Sequence, residues 1–201
     1  MAERGIDSHA LLPDIPIDPA LLAQPDARMS AYQWSLVILR AQALSREPGL
    51  GYEYGLRMRP TVHGVLGYAA MSSASLRQAL ELSMRYARVR QAGFRFEFVE
   101  TDTTAELRVI ETAPVPLLRS FFLENILLGL ARANAVLLGK DITKLNGMEI
   151  CFDWPEPPWH CDWQDQLPPV RFNQPTNLVR IPREILSHRP VLADPLASQQ
   201  A

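Results

Sequence analysis

The sequence has 201 residues, with 20 Lys and Arg against 22 Asp and Glu and a formal net charge of −2. This balance excludes a strong nucleic-acid binder, because no net positive field remains to hold phosphates. The 47% hydrophobic and 21% charged content is typical of a globular protein. The start of the chain lacks the apolar core of a signal peptide, and two cysteines do not make a secreted disulfide scaffold. We therefore expect a cytoplasmic protein with reduced thiols.

The N-terminal quarter of the chain predicts helices that follow an arm. We expect residues 1–15 to form a mobile arm. Asp18 places a capping carboxylate before a proline, which predicts a short helix over Ala20–Ala23. Ser30 can cap a longer helix. Leu50–Arg59 predicts a short helix or an irregular turn, because two glycines weaken the helical pattern.

Residues 64–89, GVLGYAAMSSASLRQALELSMRYARV, combine an apolar run with an amphipathic segment. The run over 65–71 is almost uninterrupted, which predicts a short buried strand. Ser72 and Ser73 end that strand and offer a helix N-cap. Apolar residues then recur at helical spacing, so we predict a helix over 75–90.

The clearest hairpin lies in the middle of the chain. Phe94–Glu100 and Ala105–Glu111 both alternate between apolar and polar residues, and a polar turn of Thr and Asp joins them. We expect the two strands to pair antiparallel, with Phe96 and Leu107 turned inward.

A long helix and several short strands complete the pattern. The helix is predicted from Pro116 to near Gly139 and is apolar around most of its circumference, although three charged residues argue against membrane insertion. Alternation around Ile150 and over Val170–Phe172 and Leu178–Ile181 predicts short strands. We predict a single α+β domain whose largely antiparallel sheet is packed by two main helices, 75–90 and 116–138, after a helical N-terminal segment.

The search for catalytic and metal-binding motifs finds no complete pattern. Cys161 follows His160 directly and lies ten residues after Cys151, without the paired spacing of a zinc site. We therefore predict neither an enzyme, nor a metal site, nor a cofactor. The tryptophans at 154, 159 and 163 are either core residues or one wall of an apolar ligand cavity. Asn125 and Arg132, seven residues apart on the long helix, are either structural groups or polar anchors of a pocket.

Several short patterns occur in the order found in one family. They are LGYA followed by SS, then L-x-x-A-L-x-x-x-x-R-Y, with GYEYGL upstream and PVRF, NL, IP and ADP downstream. Together they cover roughly residues 5–195. In these motifs the chain resembles the N-terminal, arabinose-binding-like domain of AraC-type bacterial transcriptional regulators, in the group related to ornithine- and arginine-responsive activators.

The resemblance implies an effector-sensing and oligomerisation domain over residues 16–195. Residues 196–201 would then begin a linker to a helix-turn-helix region that lies beyond this sequence and makes all contact with DNA. We expect a cytoplasmic homodimer that binds a small organic effector, an amino acid or another carboxylate, and no membrane. Two alternatives stay open, namely a dimerisation module without an effector and an enzyme without a recognisable motif.

Five polar residues are candidates for the effector site, in a cavity between the sheet and the two main helices. They are Tyr68, Ser72, Tyr86, Asn125 and Arg132. A few polar anchors in an apolar pocket are the usual composition of a small-molecule site, and an arginine would select an anion. In the alternative interpretation, the two tyrosines are core residues whose hydroxyls have internal partners.

Overall fold

The computed structural model describes residues 4–18, 20, 24, 29–90, 93–115 and 117–194. The chain divides into two compact units, residues 1–50 and 51–201. The α-helices are α1 (Ala31–Ser45), α2 (Leu50–Leu56), α3 (Val65–Ser72), α4 (Leu76–Arg90) and α5 (Arg119–Leu137). The strands are β1 (Phe94–Glu100), β2 (Thr104–Glu111), β3 (Glu149–Cys151), β4 (Val170–Arg171) and β5 (Leu178–Pro182). Short 3-10 helices cover Ser8–Leu11, Pro60–His63, Ile142–Lys144, Pro158–Gln166 and Arg183–Ser187.

In the smaller unit, α1 begins where its predicted cap places it. The Ser30 hydroxyl accepts a hydrogen bond from the Gln33 backbone N–H at 3.2 Å, and the Ser30 N–H donates to Gln33 Oε1 at 2.8 Å. This reciprocal pair satisfies two N–H groups that a helix start would otherwise leave without partners. The Arg40 guanidinium donates to the Pro13 carbonyl at 2.6 Å, which fastens the preceding segment to α1.

The described residues do not decide two predictions for the N-terminus and one for the C-terminus. The predicted helix at Ala20–Ala23 lies outside the described residues except for Ala20, whose N–H donates to Asp18 Oδ1 at 2.8 Å. The mobility of residues 1–15 stays a prediction. The linker expected at 196–201 also lies outside the described residues.

The five strands form one sheet in the larger unit, in the order β1-β2-β5-β3-β4. Every neighbouring pair is antiparallel except β3 and β4, which are parallel. The hairpin is confirmed, and both Phe96 and Leu107 are buried. An apolar row crosses all five strands toward the core, and its members are Phe98, Leu107, Val179, Ile150 and Val170.

The opposite face of the sheet carries charges that pair across the strands. Arg180 on β5 forms ion pairs with Glu106 on β2, at 2.9 Å, and with Glu149 on β3. Although burial opposes ionisation, hydrogen bonds from Arg108 and Arg180 hold the pKa of Glu106 below its ordinary value.

Helices α4 and α5 pack against strands of this sheet within residues 51–201. The predicted α+β class, with a largely antiparallel sheet and two main helices, is therefore confirmed.

The predicted strand over residues 65–71 is wrong, because this segment forms helix α3. Its buried residues are Gly67, Ala69, Ala70 and Met71, while Val65 and Tyr68 face outward. A short apolar run does not distinguish a strand from a buried helix by periodicity alone. Ser72 and Ser73 end this helix, and their hydroxyls bond back to the carbonyls of residues 68 and 69 at 2.9 Å.

Helix α4 confirms the amphipathic segment but begins after a different serine from the two predicted. The Gln78 N–H lies 3.3 Å from Ser75 Oγ, and Gln78 Oε1 accepts the Ala74 N–H at 2.9 Å. These bonds satisfy N–H groups at the start of the helix. The cap is therefore Ser75, two residues beyond Ser73.

The two glycines of α2 allow it to pack closely on α5. A Cβ added at Gly51 would lie 2.9 Å from the Phe121 carbonyl oxygen, and one at Gly55 would lie 2.9 Å from the Asn125 carbonyl oxygen. No larger side chain fits at that distance without moving a backbone. Thus the glycines that weakened the helix prediction are what bring α2 against α5.

Helix α5 is largely enclosed by its own unit. It begins at Arg119, three residues after the predicted start, and twelve of its nineteen residues are buried. By length and composition it is long and apolar enough to cross a membrane, but 61% of its most apolar stretch is buried. This degree of burial is typical of a core helix in a folded domain.

We predict that Gly67→Ala destabilises the fold by about 1–3 kcal/mol or more, because the new Cβ would overlap the Pro60 carbonyl group. The matched control is Gly129→Ala in α5, where the nearest atom to a new Cβ is Met58 Cε at 3.6 Å. That control should gain roughly 0.5–1 kcal/mol, because alanine favours a helix interior. Urea unfolding measures both changes. Equal effects of the two substitutions would contradict the packing of α3 on Pro60.

Candidate functional site

A cavity of about 140 Å³ lies within residues 51–201. Helix α5 contributes Asn125, Ile126, Gly129, Leu130, Ala133 and Leu137 to its wall. Helices α3 and α4 contribute Leu66, Gly67, Ala70, Ser83 and Ala87. Met58, Pro60, His63 and Phe96 of β1 complete the described lining. The cavity is therefore a largely apolar pocket, partly open to solvent, bounded by three helices, one strand and the segment that carries Met58, Pro60 and His63.

Small side chains at helical spacing create this space. Ser83 and Ala87 lie one turn apart on α4, and Gly129 and Ala133 lie one turn apart on α5. On α3 the corresponding small residue is Ala70. Because core interiors are otherwise close-packed, five small side chains that face one another leave unfilled volume.

Asn125 is a lining residue with a buried polar atom. Its side chain lines the cavity and is only 9% exposed, and Oδ1 has no hydrogen-bond partner among the described residues. A buried acceptor without a donor costs roughly 1–3 kcal/mol of folding free energy. Oδ1 itself has almost no accessible surface, so this acceptor is enclosed by protein atoms and does not face the open volume of the cavity.

Of the five predicted site residues, the structure places only Asn125 in the wall of the cavity. Tyr68 is 60% exposed on the outer side of α3, and Tyr86 is 45% exposed on α4 beside the lining residue Ala87. Ser72 lies at the end of α3, and its hydroxyl donates to the Tyr68 carbonyl at 2.9 Å. The predicted convergence of these side chains on one cavity is therefore not found, mainly because α3 is a helix and turns Tyr68 outward.

Arg132 does not line the cavity either, although it lies seven residues after Asn125. Arg132 is seven residues from Asn125, which is about 20° short of two full helical turns. Each four-residue step, first to Gly129 and then to Ala133, instead advances about 40° beyond a full turn. Arg132 therefore lies about 20° outside the Asn125 edge of the lining stripe, on the side away from Gly129 and Ala133. Hydrogen bonds from Thr143 lower the pKa of Asp141, and the charge of Arg132 adds to that effect. Arg132 thus acts on the segment that follows α5.

A second group of buried polar side chains surrounds Tyr52 on α2. The Tyr52 hydroxyl lies 3.3 Å from His160 Nδ1. Burial, and secondarily the charge of Glu124, raises the pKa of Tyr52, and burial lowers the pKa of His160. Trp159 and Trp163 pack edge-on against the Tyr52 ring, with centroids at 5.1 and 6.1 Å. This arrangement favours the interpretation of these tryptophans as core residues, since neither lines the cavity.

The described residues contain no cluster of His, Cys, Asp and Glu that could hold a metal ion. Cys151 is buried on β3 and Cys161 is exposed, and neither forms a disulfide. Burial raises the pKa of the Cys151 thiol, which keeps it protonated.

The sequence matches the arabinose-binding domain found at the N-terminus of AraC transcription regulators, over residues 5–190. The chain belongs to this family. The match covers nearly the whole sequence and confirms the resemblance read from the short motifs.

Two curated relatives support the same assignment. This arabinose-binding domain is 32% identical over 201 residues to the ornithine utilization regulator of Pseudomonas aeruginosa, covering 99% of this chain and 58% of that protein. It is also 32% identical over 132 residues to an uncharacterized HTH-type transcriptional regulator of Mycobacterium tuberculosis, covering 64% of this chain and 38% of that protein. The chain thus spans 58% of the length of the first relative, and its matched segment spans 38% of the second.

A solved structure shares the fold. The crystal structure of the transcriptional regulator CdpR from Pseudomonas aeruginosa matches with a TM-score of 0.68 and 19% identity, over 90% of this chain and 58% of that one. At this identity the likeness shows the fold alone. The regulator family favours a role other than catalysis.

We predict that Glu124→Gln removes a pH-dependent loss of stability. Burial raises the pKa of Glu124 from 4.5 to about 8, so the folded state binds a proton that the unfolded state releases in this interval. The stability of the wild type should therefore fall as pH rises from 4.5 to 8, by at most about 1.4 kcal/mol per pH unit. Denaturant unfolding from pH 5 to 8.5 measures it. A stability difference between variant and wild type that stays constant with pH would contradict the assignment.

Proposed function

We propose that residues 51–194 sense a small organic effector in the cavity, as the N-terminal domain of an AraC-type transcriptional regulator. The observation that carries this proposal is the apolar cavity itself, in whose described lining His63, Ser83 and Asn125 are the polar side chains. An apolar pocket with few polar groups is the usual composition of a small-molecule site. The domain acts by linkage, since an effector that prefers one conformation shifts the regulator toward it.

Helix α3 is the element that best couples the cavity to the surface. Leu66, Gly67 and Ala70 line the cavity, while Val65 and Tyr68 are exposed apolar residues on the other side of the same helix. A ligand that displaces α3 therefore changes an exposed apolar surface directly. In this proposal Tyr68 reports effector binding without touching the effector.

The proposal makes the regulator cytoplasmic and non-enzymatic. It assigns contact with DNA to the region that the longer relatives have and this chain does not span. The expected amino-acid or other carboxylate effector depended on Arg132 as an anion anchor. Because Arg132 does not line the cavity, the proposal does not depend on a charged effector.

The test is a thermal-shift screen of small organic compounds against the wild type and Ala87→Leu. A compound at 100 times its Kd stabilises the fold by about 2.7 kcal/mol, which for about 200 residues raises Tm by roughly 5–10 °C. The larger side chain of this variant would occupy cavity volume, so we expect the shift to disappear. Ala43→Leu, at an exposed position of α1, is the control that should keep it. A compound that stabilises wild type and Ala87→Leu equally binds elsewhere and contradicts the proposal.

Homodimerisation is also proposed, because AraC-type regulators present paired DNA-binding regions. The apolar character of α5 does not support it, since most of that helix is buried within its own unit. We expect sedimentation velocity of the 201-residue chain to show a dimer whose fraction rises with concentration. A single monomer species across the range would contradict dimerisation through this part of the regulator.

A further inference from the structure

One edge of the sheet is long enough to pair with a further strand. β1, at this edge, has seven residues and no proline, and it pairs with β2 alone among the described strands. β4, at the opposite edge, has two residues and follows Pro168 and Pro169. Short strands and prolines are features that keep sheet edges from pairing with other chains. The β1 edge has neither feature.

The backbone of β1 presents hydrogen-bonding groups at this edge in a fixed alternation. Val109, which lies opposite Phe96, donates its N–H away from β1, to the Asn177 carbonyl at 2.9 Å. In an antiparallel pair, opposite residues either bond to each other or both point away. The N–H and C=O groups of Phe96 therefore point to the free edge. Those of Phe94 and Phe98 do so as well, because the direction alternates along the strand.

An apolar groove lies beside the same edge. Glu81, Met84 and Arg85 of α4 form one side of it, and Phe96 and Phe98 of β1 form the other. Met84 and Phe98 are only partly buried, so a single copy of the chain leaves apolar side chains in contact with water. A further strand with apolar residues on the same face would cover them.

The outward side chains of β1 determine which strand fits. Arg95 and Glu97 project from the face opposite the phenylalanines and pair with each other at 3.2 Å. If a second copy pairs antiparallel about a two-fold axis at Phe96, Arg95 lies opposite Glu97 of the partner subunit, and Glu97 lies opposite Arg95 of the partner subunit. Four charges of alternating sign then surround the axis. The same register places Phe94 opposite Phe98 and aligns the three edge-facing residues for hydrogen bonding.

Neighbouring registers of the same two strands are less favourable. An axis at Arg95 or at Glu97 places two copies of that residue opposite each other, and like charges directly opposite destabilise a sheet. An axis at Phe94 or at Phe98 leaves both charged residues opposite uncharged ones. Of these five registers, the axis at Phe96 is the one that pairs opposite charges.

We propose that the chain dimerises by antiparallel pairing of β1 with β1 of a second copy, about a two-fold axis at Phe96, so that the two sheets become one. This inference rests on the homodimerisation proposed above and specifies its surface. The two-fold axis uses both β1 edges and leaves only the β4 edges outside, so assembly stops at the dimer.

The experiment reverses charges at this edge and measures the dimer by sedimentation velocity of the 201-residue chain. Arg95→Glu and Glu97→Arg each place like charges across the axis, so each should raise the Kd of the dimer at least about tenfold. An equimolar mixture of the two variants restores opposite charges and should form a heterodimer with an affinity close to that of the wild-type dimer. Arg171→Glu on β4, where the side chain is 65% exposed, is the control that should leave the Kd unchanged.

Amide hydrogen exchange tests the register on the wild type, whether or not the variants fold. The N–H groups of Phe94, Phe96 and Phe98 should become protected as the concentration rises and the dimer forms. Those of Arg95 and Glu97 point toward β2 and should be protected at every concentration.

The outcomes separate this surface from homodimerisation itself. A single monomer species at every concentration overturns both. A dimer that tolerates both charge reversals, or whose N–H groups at Phe94, Phe96 and Phe98 stay unprotected, overturns this surface but keeps homodimerisation through another. Growth of the assembly beyond the dimer overturns the two-fold pairing.

Discussion

The burial of α5 is the constraint on which the larger unit depends. Its nineteen residues pack against the sheet, and its backbone is approached closely by α2 through Gly51 and Gly55. Such a helix can expose few polar groups to water, so each polar side chain on it needs a local explanation. Glu124 responds to burial with a raised pKa, whereas Asn125 keeps a buried Oδ1 without a hydrogen-bond partner among the described residues. The cavity is therefore a consequence of how this helix is enclosed.

The parts of the fold that sequence reasoning predicts are those with one dominant periodicity. Phe94–Glu100 alternates with a period of two and can only be a half-buried strand, while 75–90 has a clear helical stripe. The run at 65–71 has neither pattern, because nearly every residue is apolar. As a helix it packs Gly67 against the Pro60 carbonyl, a contact that the apolar pattern does not reveal.

Sequence reasoning predicts one part of the site, a buried polar residue on α5, but not the other residues that line it. An asparagine within an apolar helix signals a buried polar group, and Asn125 does line the cavity. Tyr68 and Tyr86 are predicted site residues because they are amphipathic, but amphipathic side chains also lie readily at the surface. The better signal was the small residues at helical spacing, such as Ser83 with Ala87 and Gly129 with Ala133. Sequence alone shows that these are small, but only the fold shows that they face one another across unfilled volume.

The most direct test of the central claim is a crystal structure of the 201-residue chain with a compound that stabilises the wild type but not Ala87→Leu. The account predicts this compound in the cavity bounded by α3, α4, α5 and β1. A cavity that stays empty while the compound binds elsewhere on the chain would contradict the account.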